Sequence, residues 1–116
     1  MNIEEVREYC LSKKGSSEYF PFDDVSLVIK VGDKMFALLS LDENPQRISL
    51  KCDPEYAVEL REQNAAIQPA YHFNKKHWNM MTLDGSISEK NLKHFIDHSY
   101  NMVLKGMTKK QREEIQ

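Results

Sequence analysis

A chain of 116 residues, 41% hydrophobic and 29% charged, has room for one domain (residues 1–116) around one core, and no apolar run in it approaches the length that spans a bilayer. Its formal net charge of -2 and pI near 6.1 exclude a basic body that grips duplex DNA by counterion release, so any nucleic-acid site has to be a local patch. The opening Met1-Asn2-Ile3-Glu4-Glu5 is acidic and lacks a hydrophobic signal core, which makes a cytoplasmic protein the expectation.

Asn2 suits the cap of a first helix, with Glu5 as its capping-box partner. Ile3, Val6 and Cys10 recur at helical spacing, Glu4, Glu5 and Glu8 favour the N-terminal end of the helix dipole, and Gly15 stops the helix. Ser16 to Asp24 reads as a linker whose Tyr19, Phe20 and Phe22 tuck under the domain. Val25 to Val31 alternates as a strand, Gly32-Asp33 turns, and Lys34 to Leu41 returns. The register of that hairpin is open. A two-residue loop puts Phe36 and Leu38 on the face of Leu27, Ile29 and Val31; a longer loop or a bulge puts Met35, Ala37, Leu39 and Leu41 there. Arg47 to Cys52 is a third strand, with Ile48, Leu50 and Cys52 on one face and Arg47, Ser49 and Lys51 on the other. Asp53-Pro54-Glu55 starts a helix that ends near Asn64. Trp78 to Leu83 is a further strand, Ser88 caps the longest helix, and Gly106 closes it. Thr108 to Gln111 is a second capping-box pattern, so a short tail helix occupies 108–116. This order implies an α+β fold, an antiparallel sheet with helices packed on one face.

Ile67 to Trp78 is the richest stretch for binding. It holds the only Trp, two adjacent lysines and two of the four histidines, inside an acid-free run from Glu62 to Asp84. Lys75 and Lys76 suit phosphates, Asn74 suits a base edge, and Tyr71 or Trp78 suits a stacked base; His77 adds polarity and Lys51 a further cation. The plainer reading has Trp78 mostly buried between sheet and last helix, with Asn74 and His77 bonding loop backbone. The two readings are compatible.

Elsewhere the chemistry is thin. His94 and His98 stand four apart on the last helix, but the Glu of HExxH is missing and no third ligand is evident, so they are expected as surface histidines and no metal is expected. Ser99 has no readable His and acid partners, and no phosphate-binding glycine loop exists. Cys10 and Cys52 match no metal or redox spacing and are expected as free thiols. Neither an enzyme nor a cofactor is indicated.

Several motifs occur together in order: Pro21-Phe22-Asp23, Lys34-Met35-Phe36-Ala37, Leu50-Lys51-Cys52-Asp53-Pro54-Glu55, Ile67-x-Pro69-x-Tyr71-His72-x-Asn74-Lys75-x-His77-Trp78, Leu83-Asp84-Gly85 and Ser99-Tyr100. Together they resemble the MmcQ/YjbR family, small bacterial proteins often labelled DNA-binding, over nearly the whole chain to Met107. The Asn-Lys-x-His-Trp segment is the most specific part. Asp23 and Ala70 stand where relatives often carry Gly. The resemblance implies a fold like that of frataxin (CyaY) and the type III secretion chaperones. It also implies DNA binding, with Lys51, Tyr71, Asn74, Lys75, Lys76, His77 and Trp78 as candidate contacts. The alternatives are a chaperone-like adaptor for a protein partner and a small-ligand binder with a pocket beneath Trp78. A monomer without membrane contact is expected.

Overall fold

The computed structural model describes residues 1–115. Six strands form one antiparallel sheet: β1 (Ser16–Tyr19), β2 (Ser26–Val31), β3 (Lys34–Ser40), β4 (Arg47–Lys51), β5 (Ile67–Pro69) and β6 (Trp78–Thr82), in the spatial order β1-β2-β3-β4-β6-β5. The helices are α1 (Ile3–Leu11), α2 (Pro54–Gln63), α3 (Glu89–Lys105) and α4 (Lys109–Ile115). Residue 116, the end of the expected tail helix, lies outside the described residues.

Local chemistry sets the helix ends. Asn2 and Glu5 complete a capping box, Asp53 accepts from the Tyr56 N–H ahead of Pro54, and Ser88 accepts from the Asn91 N–H. Thr108 and Gln111 exchange reciprocal bonds at the start of α4.

The core lies between the sheet and α1, α2 and α3. Val6 and Cys10 of α1, Ala57 and Leu60 of α2, and Leu92, Phe95, Ile96 and Val103 of α3 pack on Leu27, Ile29, Leu39, Ile48, Leu50 and Met81 of the strands. The hairpin combines both expected registers. Its tip is a two-residue turn, with Val31 opposite Lys34, and a bulge then follows at Phe36, so that Ile29 faces Ala37 and Leu27 faces Leu39. The bulge is held from α3: buried Ser99 donates to the Phe36 carbonyl at 2.5 Å and accepts from the Lys51 N–H at 2.9 Å. The Tyr100 ring meets Phe36 edge-on at 5.4 Å.

Three expectations need correction. Ser16–Tyr19 is an edge strand rather than linker. Tyr19, Phe20 and Phe22 do not tuck under the domain; they are 43%, 49% and 70% exposed. Among the described residues, α1, α2 and α3 pack on the other sheet face, so these aromatics meet no helix to join. Trp78, expected mostly buried against the last helix, is largely covered but lies on the sheet face away from that helix. Its strand neighbours Asn79 and Met81 take the helix side, and alternation leaves Trp78 and Met80 on the open face. Among the described residues, no helix is long and apolar enough to cross a membrane.

Candidate nucleic-acid interface

The loop from Ala70 to His77 joins the last two strands and is held by backbone bonds of its own together with ties to β4 and α2. The Ala70 N–H donates to the Trp78 carbonyl at 3.1 Å, Phe73 N–H to Ala70 O at 3.0 Å, and His77 N–H to Asn74 O at 3.0 Å. Asn74 accepts from the Lys76 N–H through its side-chain oxygen at 3.0 Å, which makes an Asx turn. That engages the carboxamide oxygen a base reader would use. The backbone carbonyl of partly buried His77 accepts from the Cys52 N–H at 2.7 Å and ties the loop to the end of β4.

The remaining candidates fall into separate places. Lys51 and Trp78 are cross-strand partners on the open face, and the Phe73 ring lies 5.0 Å from the indole. Tyr71 is 61% exposed, with the Lys75 ammonium 4.9 Å above its ring. Lys76 is exposed and borders a hollow with Pro54, Glu55 and Val58 at the start of α2. Thus Lys51, Tyr71, Lys75 and Trp78 gather around the open end of the sheet, whereas Asn74 and His77 hold the turn.

Residues that sequence patterns did not single out support this arrangement. Buried Asn79 donates to the Ala57 carbonyl at 3.2 Å and accepts from Arg61 Nη1 at 2.9 Å; the same nitrogen donates to the Lys75 carbonyl at 3.2 Å. Arg61 therefore connects helix, sheet and loop. A second aromatic–cation pair, Tyr19 with Lys30 at 4.8 Å, stands at the far edge of the sheet. The sequence shows half of this pair as an alternating Lys30, while Tyr19 lies in the stretch that reads as a linker.

The sheet's open face also carries a cleft of about 490 Å³. Leu38, Ser49 and Met80 lie between Phe22 on one side and Tyr71 on the other, and Arg47 and Glu43 also line it. A second hollow of about 520 Å³ borders Lys75 and Lys76 on the α2 side of the loop, and Trp78 lines neither of the two. The carboxylate of Asp23, at the cleft rim, is held below the usual range chiefly by the Val25 N–H.

Burial pushes the Cys10 thiol up to about 12 and the Cys52 thiol up to about 11, and both cysteines are free. His98 is not a free surface histidine: its Nε2 accepts from the Asp53 N–H at 3.1 Å, and the Tyr56 ring packs edge-on at 5.2 Å. No group of three or more metal-ligating side chains forms among the described residues.

The YjbR family model matches residues 11–102, a span that includes the sheet, the loop and most of α3. This chain belongs to the YjbR family. It is 34% identical to a protein named YjbR from Escherichia coli K12 over 113 residues, which cover 97% of this chain and 96% of that one. A solved Deinococcus radiodurans structure, described as a DUF419 domain, superposes with a TM-score of 0.92 at 42% identity and covers 98% of this chain and 87% of its own. A Pseudomonas syringae crystal structure superposes at 0.76 with 28% identity, covering 88% and 98%. The YjbR assignment agrees with the family resemblance read from the motifs, and the neighbours share the α+β fold.

Proposed function

We propose that this YjbR-family chain is a non-enzymatic, monomeric cytoplasmic protein that binds DNA weakly through the helix-free sheet face and the Tyr71–Trp78 loop. One observation carries the reading: exposed Tyr71 with the Lys75 ammonium above its ring, beside the Lys51–Trp78 pair. A flat ring flanked by cations is what a single strand uses, because every base has a face to stack and every step a phosphate to neutralise. The ammonium moves to the phosphate as the base takes the ring. Duplex DNA hides its base faces, so single strands fit better than duplex. The acidic balance of the whole chain keeps binding weak. The non-enzymatic part is supported by the engaged nucleophiles: two buried thiols with raised pKa and a Ser99 hydroxyl bonded on both sides.

Fluorescence polarisation of labelled single-stranded and duplex DNA across a salt series tests the proposal. Single-strand binding that weakens with salt is expected; no binding to either at low salt would end it. A chaperone-like adaptor role is the second reading, favoured by Tyr19, Phe20 and Phe22 exposed on and after the sheet-edge strand β1. Phe20→Ser separates the two. Unchanged DNA affinity keeps the contact at the loop, and a lost affinity moves it to the β1 edge.

A further inference from the structure

The open-face cleft has a charge pattern that a nucleic-acid strand does not explain. Its lining holds the cation Arg47 and the carboxylates Asp23, Asp42 and Glu43. Asp23 is committed to the N–H groups of Val25 and Ser26. Asp42 makes no hydrogen bond or ion pair among the described residues. Glu43 sits 3.0 Å from Arg47 Nε, yet that buried nitrogen lacks an aligned acceptor, so the pair has charge proximity without a hydrogen bond. The other recorded Arg47 contact is a weak one, Nη1 to the Met80 sulfur at 3.6 Å. The guanidinium fork is therefore under-used, in a place where its donors suit a carboxylate. Around this pair stand apolar walls, Phe22 on one side and Tyr71 on the other, over a floor of Leu38 and Met80. A volume of about 490 Å³ falls in the range of small-molecule sites.

We propose that the cleft is a binding site for a small zwitterion, a free α-amino acid with an aromatic or large apolar side chain. The ligand carboxylate takes the Arg47 fork, its ammonium takes Glu43 and Asp42, and its side chain lies between Phe22 and Tyr71. A simple anion fits less well, because two carboxylates face the same space and one must leave. A simple cation fits less well, because it leaves Arg47 under-bonded. A zwitterion separates Glu43 from Arg47 and supplies a partner to each. The site shares Tyr71 and the open face with the DNA proposal, but Arg47 and Glu43 are particular to it, since neither belongs to the candidate DNA contacts.

Nitrogen-edited NMR titration of the full chain tests this with three probes: phenylalanine, phenylpropionate without the ammonium, and phenethylamine without the carboxylate. Phenylalanine should shift the amides of Leu38, Ser49 and Tyr71 and bind at least about tenfold more tightly than either analogue. Glu43→Gln should weaken phenylalanine binding about tenfold and leave phenylpropionate no weaker; Arg47→Met should abolish both. Phe22→Ala, at an exposed position that poses no threat to folding, should also weaken phenylalanine and serves if Arg47→Met does not fold. No cleft shifts at about 10 mM phenylalanine, equal affinity for the three probes, or tighter phenylalanine binding in Glu43→Gln would overturn the proposal. Lys51→Ala, outside the cleft lining, should weaken single-stranded DNA binding and leave phenylalanine affinity unchanged, so failure of one proposal is readable apart from failure of the other.

Discussion

The Asn79 carboxamide, fully enclosed beneath the sheet, accepts a 2.9 Å hydrogen bond from Arg61, and the same guanidinium nitrogen holds the Lys75 carbonyl. One buried amide thus fixes a helix, a strand and the cationic loop at once. Asn79→Ala leaves the Ala57 carbonyl and the guanidinium without their partner, and a cost of about 1–3 kcal/mol is expected in urea unfolding. Amide exchange at Lys75 to His77 should also speed up. A variant as stable as the parent, with loop exchange unchanged, removes Asn79 from this role.

That network also marks the limit of what the sequence makes legible. Capping is local chemistry, so Asn2, Asp53, Ser88 and Thr108 announce their helices within four residues. Alternation placed Ile48, Leu50 and Cys52 on the core face, where they are buried. The short edge strands β1 and β5 were invisible, because four polar-leaning residues and three residues beginning a loop carry no usable period. Phe20 and Phe22 misled, as did the side on which Trp78 is covered, because hydrophobicity says that a side chain prefers cover without saying on which sheet face. The cleft could not be read at all: Phe22, Arg47 and Tyr71 meet only through the strand order.

His98 gives a pH signature. Its Nε2 accepts from the Asp53 N–H, which requires the neutral ring. Burial first, and then neighbouring His94, lower its pKa from the ordinary 6.5, while Asp53 acts in the opposite sense. The unfolded chain therefore takes up a proton before the folded one does. The stability from this group is present above pH 6.5 and is lost as pH falls through the lower folded value. Unfolding free energy should drop between neutral pH and the acid side, and His98→Gln should flatten the drop. A His98 resonance titrating at or above 6.5 would falsify the assignment.

The thiols act on the alkaline side. Burial is the main cause holding both above their ordinary 9.0, Cys10 to about 12 and Cys52 to about 11. The fold keeps them protonated, whereas the unfolded chain loses those protons first. Their contribution is whole below pH 9.0 and disappears as pH climbs toward 11 and 12. Folded protein should resist a thiol-specific disulfide reagent at pH 8, and both thiols should react once urea is added. Rapid labelling of the native chain contradicts the burial.

The place of Trp78 on the face away from the helices changes the expected cost of losing the indole. A fully enclosed Trp truncated to Ala costs about 3–5 kcal/mol. Trp78 keeps some exposure and packs on Phe73 rather than on a helix, so Trp78→Ala should cost somewhat less, about 2–3 kcal/mol. Thermal unfolding of the variant checks it, and a loss at the fully buried level returns Trp78 to the core. As the only Trp, its emission also reports on the open face without a label.

The DNA proposal separates charge from stacking, and two variants can measure each. Lys51→Ala with Lys75→Ala removes two point charges that lack the forked geometry for base edges, so affinity should fall alike for all sequences. The slope of log K against log salt on single strands should shrink by about 0.7 for each lost phosphate contact. Tyr71→Ala removes a ring face, with an expected loss of about 1–3 kcal/mol and little change in salt slope. Asn74→Ala acts differently from either. Its oxygen holds the Lys76 N–H, so the substitution should loosen the loop and weaken binding without altering sequence preference. A changed preference in Asn74→Ala would mean that the carboxamide leaves the turn to read a base. If the double-lysine variant and Tyr71→Ala both bind with the parent's affinity and salt slope, the loop is purely structural, and the exposed aromatics at the β1 edge become the surface to pursue.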